Sequence, residues 1–285
     1  MNLGEWTFRA FHDGRFKLDG GAMFGVVPKV MWEKKHPADE MNRIDLALRC
    51  LLVDHGSKRI LVDTGMGDRW DEKKVGVFAL ERRKNQLVAE LAEAGITRES
   101  ITDVILTHLH FDHAGGTLRE ADGKLEPVFP EAVHWVQKRH WEWALKPSER
   151  DRASFRAEDF QFLADTSRLQ LVEGSTEILP GVRVHPINGH TPGQQMVEFH
   201  TGERTVVYCG DLLPFLSQVH VPWIMGFDLN PLLTVTEKKQ FLTRAVEDKY
   251  ILVFEHDLQN EAATVVFEDG KFKPDQVFTL AEGPE

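Results

Sequence analysis

Residues 105 to 116 read ILTHLHFDHAGG, and four candidate metal donors fall inside them: His108, His110, Asp112 and His113. Imidazole nitrogens and carboxylate oxygens suit zinc, and also manganese, iron or cobalt. In extended backbone, side chains two apart project the same way, so His108 and His110 can bind one ion together. A turn after Phe111 would redirect Asp112 and His113 toward a second. A lone histidine is more often a core or surface residue, but four donors crowded at the end of an apolar strand point to metal. Three more donors stand apart: His190 in NGHTPG, Asp211 closing TVVYCGD and His256 closing ILVFEHD. Each is expected at the carboxyl end of a strand, where an α/β sheet presents its ligands. Tetrahedral zinc takes about four donors, so seven protein ligands with a shared solvent fit two divalent ions, with Asp211 bridging. Glu255 faces away from His256 if their strand persists, and reads as core or surface.

These donors need a frame. Buried strands are expected at Leu46 to Val53, Arg59 to Gly65, Asp103 to Thr107, Ala132 to Val136, Val182 to Ile187, Thr205 to Asp211 and Ile251 to Asp257, each short, β-branched or aromatic, and bounded by turn residues. Helical patterns lie between them. Leu87, Leu91 and Ala94 share a face ended by Gly95, and Thr234-x-x-Glu237 reads as a capping box before Phe241, Leu242, Ala245 and Val246. The alternation indicates α/β layers, and with no linker or repeat in view, residues 1–285 are expected to form one domain. Three stretches look like excursions from that core: 20–33, 138–160 and 213–233.

Composition excludes several roles. Thirty-four Lys and Arg against 45 Asp and Glu give a net charge of −11, a field that repels nucleic acid. No apolar run approaches the roughly 18 residues of a membrane span, and the start lacks a basic segment leading into an apolar stretch, so a cytoplasmic protein without membrane contact is expected. Cys50 and Cys209 lie in β-like apolar segments and read as small buried hydrophobes rather than a disulfide. The unusual count is histidine, 13 in 285 residues.

The ordered set RILVDTG, THLHFDHAGG, NGHTPG, YCGD and FEHD resembles the metallo-β-lactamase superfamily over nearly the whole chain. The resemblance implies a four-layer αββα sandwich with a dinuclear site at the edge between two sheets. It assigns His108, His110 and His190 to one ion, Asp112, His113 and His256 to the other, and Asp211 to both. Asp63 would orient the metal-bound imidazoles; its alternative is a turn aspartate before Gly65. The chain is most similar to quorum-quenching N-acyl-homoserine lactonases, which share HLHFDHAGG, and to methyl-parathion-hydrolase-like enzymes. Where lactonases of the best-known type place a tyrosine after the bridging aspartate, Leu212-Leu213-Pro214-Phe215 stand here.

The expected activity is hydrolysis of a neutral, apolar ester or lactone by a metal-bridging hydroxide, with Asp211 fixing the bridge and Asp112 moving a proton to the leaving group. The alternatives are a phosphotriesterase and, further off, a phosphodiesterase or nuclease. The small-molecule pocket is expected to draw on Met23, Phe24, Phe215, His220, Trp223 and Met225, from stretches 20–33 and 213–227. The rival use for those apolar loops is the interface of a homodimer.

Overall fold

A computed structural model describes residues 1–284, and in it the chain builds two seven-stranded sheets. Their spatial order follows the sequence. The first runs Asn2–Leu3, Trp6–Asp19, Arg43–His55, Lys58–Val62, Asp103–Ile105, Val133–Gln137 and Leu169–Val172. The second runs Thr176–Leu179, Val182–Ile187, Gln194–His200, Thr205–Tyr208, Ile251–Val253, Ala262–Glu268 and Lys271–Phe278. Both sheets are mixed. Lys58–Val62, Asp103–Ile105, Val133–Gln137 and Leu169–Val172 pair in parallel, as do Thr205–Tyr208 and Ile251–Val253. Parallel neighbours need a crossover, and helices Gln86–Glu93, Lys138–Leu145 and Pro231–Glu247 lie in these connections.

Period two sorts the apolar residues into layers. Leu51, Val53, Ile60 and Val62 pack between the sheets against Val197, Val206, Tyr208, Ile251 and Val253. The intervening Leu52 and Leu61 pack outward with Leu87, Leu91, Trp141 and Ala144 of two helices. Across the second sheet, Val207 and Leu252 meet Phe241, Leu242 and Ala245 of Pro231–Glu247. The result is helix, sheet, sheet, helix, as the resemblance implied. Cys50 and Cys209 are free and buried.

Four strands stop earlier than their sequences suggest, at Val62, Ile105, Tyr208 and Val253. The ladder ends at the register Val62↔Ile105, and just beyond it Asp63 turns into the left-handed region at φ 58°. Its carboxylate then accepts from Thr107 N (2.7 Å) and Thr107 Oγ1 (2.6 Å), tying the two outgoing loops together. The donors therefore sit past the strand ends, on loops and single helical turns, not on strands. The expected capping box at Thr234 is also corrected. The last long helix is capped four residues earlier, at Asn230, whose Oδ1 accepts from Leu233 N at 3.2 Å, and begins at Pro231.

Candidate metal centre

Backbone geometry at ILTHLHFDHAGG does what the donor chemistry requires. Beyond Ile105 the strand ends and the chain bends at Thr107, and His108 and His110 still meet, Nε2 to Nδ1, at 3.0 Å. A one-turn helix, Phe111–Ala114, then swings Asp112 and His113 to a neighbouring position. Gly116 permits close approach here, since a Cβ on it would lie 2.1 Å from Thr64 O.

Three loops of the second sheet complete the arrangement. His190 brings Nε2 to 3.3 Å from His110 Nδ1 and to 3.2 Å from Asp211 Oδ2. His256 Nε2 lies 3.3 Å from Asp211 Oδ1 and 3.7 Å from Asp112 Oδ2, and His113 Nε2 lies 3.8 Å from Asp112 Oδ2. Two groups emerge: His108, His110, His190 and Asp211, and beside them Asp112, His113 and His256, each with ligand atoms within 4.8 Å of one another. Asp211 faces both, because His113 Nε2 also lies 3.7 Å from its Oδ2.

The donor set fits divalent ions. His113 Nε2, His256 Nε2 and Asp211 Oδ1 are buried without a hydrogen-bond partner, an arrangement that costs free energy unless something binds there. The rear nitrogens are held. His190 Nδ1 meets Asp228 Oδ1 at 3.0 Å, His256 Nδ1 donates to Ala47 O at 2.8 Å, and His108 Nδ1 meets Thr107 Oγ1 at 3.1 Å. His113 Nδ1 faces two carboxylates at 3.0 Å, Asp63 Oδ2 and Glu255 Oε2. Such bonds fix each tautomer and leave Nε2 free to ligate.

Electrostatics divides the imidazoles. Burial, then neighbouring histidines, pushes His108 and His110 well below the usual range, so both offer lone pairs. Burial also opposes charge on His113 and His256. For His113 the carboxylates of Glu255, Asp112 and Asp211 outweigh it and raise the group well above its ordinary value. For His256, Asp211 and Glu255 do so, to about 9. Asp211 is held well below the carboxylate range, since His113 and His190 overcome its burial.

A cavity of about 370 Å³ opens over the donors, reached by His110, Asp112, His190, Asp211 and His256. Its apolar wall includes Leu18, Met23, Phe78, Phe111, Met225 and Phe227, and Arg150, Asp151 and Ser154 line it as well. Of the residues expected in the pocket, Met23 and Met225 are here. Phe24 and Phe215 are not: both are fully buried, with Phe24 stacked on Trp32 and Phe215 at centroid distances of 5.5 and 5.8 Å. His220 and Trp223 line a separate cavity of about 540 Å³ with Lys34, Lys35 and Asp257. The stretches 20–33 and 213–227 pack largely on each other, which is why Phe24 and Phe215 are unavailable to a ligand, while Phe227 at the end of the second stretch stays on the cavity wall.

Sequence reasoning missed Glu255, Asp228 and Thr107. The strand at Ile251 ends at Val253, so the alternation that turned Glu255 away from His256 does not apply. Asp228 lies in an irregular loop where no periodicity announces a contact with His190.

Residues 46–256 match a family model described as the metallo-beta-lactamase superfamily. An N-acyl homoserine lactonase of Bacillus cereus is 26% identical, across 79% of this chain and 87% of its own. Among solved structures, a probable metal-dependent hydrolase from Staphylococcus aureus superposes with a TM-score of 0.89 at 28% identity, covering 98% of each chain. A dizinc quorum-quenching lactonase, AidC, shares the fold with a TM-score of 0.80 at 23% identity, covering 98% of this chain and 97% of that one.

Proposed function

The chain belongs to the metallo-β-lactamase superfamily as a metal-dependent hydrolase, and from that premise we propose that it opens neutral, apolar esters or lactones. The observation that carries this reading is the pairing of two adjacent donor clusters, Asp211 of the first lying 3.7 Å from His113 and 3.3 Å from His256 of the second, with a cavity walled by Leu18, Met23, Phe78, Phe111, Met225 and Phe227. His108, His110 and His190 would hold one divalent ion, Asp112, His113 and His256 the other, and Asp211 both. Zinc suits these donors first, with manganese, iron or cobalt as alternatives, and the dizinc lactonase of the same fold supports two ions. Ions at these positions supply Lewis acidity and a nucleophile drawn from water near neutral pH.

The remaining work falls to the chain. The apolar wall seats an acyl or alkyl group and excludes bulk water. Asp112, which lines the cavity, would take up the proton released by the attacking water and pass it to the leaving oxygen. Leu212, Leu213 and Phe215, which stand where lactonases of the best-known type have a tyrosine, are buried, and neither tyrosine of the chain lines the cavity. No tyrosine hydroxyl of this chain is therefore available in the cavity to meet a substrate carbonyl. A neutral phosphotriester meets the same wall and is the second reading.

The test is a panel of 4-nitrophenyl esters, acyl lactones and phosphotriesters with metal-loaded protein. Activity on esters or lactones is expected to rise with acyl length, by up to about 0.8 kcal/mol per methylene in kcat/KM. Met225→Ala is expected to flatten that rise. Turnover of phosphotriesters alone selects the second reading, and turnover of none of the three classes overturns both.

A further inference from the structure

Helix Lys138–Leu145 carries a histidine that the site does not use as a donor. His140 is fully buried, and both ring nitrogens are engaged by backbone. Its Nε2 accepts from Leu109 N at 2.8 Å, and its Nδ1 donates to Pro192 O at 3.0 Å. Leu109 stands between His108 and His110, and Pro192 lies two residues after His190. One imidazole thus bonds to both loops that supply the three-histidine cluster. The helix is close enough that a Cβ on Gly193 would lie 2.7 Å from His140 N, so this contact is built at backbone level. Below the ligands, Gln195 N donates to Thr107 O at 2.8 Å and joins the same two segments nearer the strands. His140 holds their outer ends.

Resting on the metal-hydrolase reading, we infer that His140 is a positioning residue: it sets the separation of the His108/His110 loop from the His190 loop and so the geometry of the first ion's site. Its chemistry suits the task. A neutral imidazole with Nδ1–H is a donor on one side and an acceptor on the other, in a rigid ring. An amide keeps only half of this. Gln reaches as far as Nε2 and retains a bond to Leu109, whereas Asn ends near the Nδ1 position and retains one to Pro192. Groups bonded directly to metal-bound histidines typically change metal affinity or activity by about 10–100-fold when removed, and His140, acting through the backbone of their loops, is expected at the lower end of that range.

The experiment loads wild type, His140→Leu, His140→Gln and His140→Asn with zinc and follows release to a chelator. Cobalt-loaded samples give the absorption spectrum of the site, and thermal unfolding of stripped protein reports the fold. For wild type, two ions are expected. For each variant, one ion should leave about tenfold faster or more, with an altered cobalt spectrum, while the other leaves at the wild-type rate. A purely packing role lowers the stripped protein's Tm and leaves release and spectrum unchanged; that result in any folded variant overturns the inference. If His140→Leu does not fold, the Gln and Asn variants decide on the same criteria. A wild type that takes up no zinc defeats the metal reading itself, an outcome distinct from failure of His140.

Discussion

Asp211 is the residue on which both clusters converge, with His190 and His256 on different oxygens at 3.2 and 3.3 Å. Asp211→Asn is expected to cost orders of magnitude in kcat and retention of at least one ion while leaving the circular dichroism spectrum intact, because an amide bridges two cations poorly. A variant that keeps both ions and most of its kcat would remove Asp211 from that role. Lys238 offers a pH test away from the donors. It is fully buried, donates to the His220 and Trp223 carbonyls, and burial lowers its pKa to about 7, with Asp228 only partly opposing. A lysine depressed in the folded state is charged in both states below pH 7, where its burial penalty is greatest. Between about 7 and 10.5 the unfolded chain holds the proton that the folded one has lost, so this group makes stability rise with pH, by up to about 1.4 kcal/mol per unit. Denaturant midpoints across that window should show a shallower rise for Lys238→Met than for wild type, and equal slopes would contradict the shift. At this scale the donors were legible in the sequence because four of them crowd into six positions. Glu255 and His140 were not, since their partners are distant in sequence and only the fold brings them together.

The loops that bear the donors are held by the elements around them. Helix Pro231–Glu247 supports the His190 loop: Glu237 accepts from Asn188 N at 2.8 Å and Gly189 N at 2.9 Å, and Asn230 N donates to Gly189 O. Glu237, read from sequence as half of a capping box, thus braces the His190 loop instead. Gly189 has no room for a side chain, since a Cβ would lie 2.3 Å from Thr234 Oγ1. Gly189→Ala is therefore expected to destabilise by about 1–3 kcal/mol as the loop is pushed off the helix. The displacement should also speed loss of the ion held by His190; unchanged stability and ion retention together would contradict the close packing. Seven of the fourteen strands in the two sheets were legible from short apolar β-branched runs, and Val182–Ile187 was read to the residue, whereas others, Trp6–Asp19 and Gln194–His200 among them, were not, because polar residues interrupt their apolar pattern. Strand ends were not, because they depend on where a partner's ladder stops and on a left-handed turn at Asp63, neither of which leaves a local signature.

Across the whole molecule, the donors come from both chain halves. His108, His110, Asp112 and His113 follow a strand of the first sheet, while His190, Asp211 and His256 follow strands of the second. Ions held between them would link the sheets at one edge, whereas the apolar layer of Phe8, Leu51, Val197 and Phe199 joins them independently of metal. Stripped protein should therefore remain folded but melt at a lower temperature, with near-native circular dichroism. Mass action gives the scale: about 2.7 kcal/mol when free metal exceeds Kd a hundredfold. The difference should also depend on pH. Burial opposes protonation of His113 and His256, yet facing carboxylates hold both above the ordinary histidine range, His256 to about 9. Each must give up its proton before its Nε2 can ligate, so protons compete with metal and affinity falls as pH drops. Calorimetric melts of loaded and chelator-treated protein should show a gap that widens from pH 6 toward 9. A constant gap would mean that these histidines bind metal without releasing protons, and identical melting temperatures at every pH would mean that the ions do not bind the folded chain between its two halves.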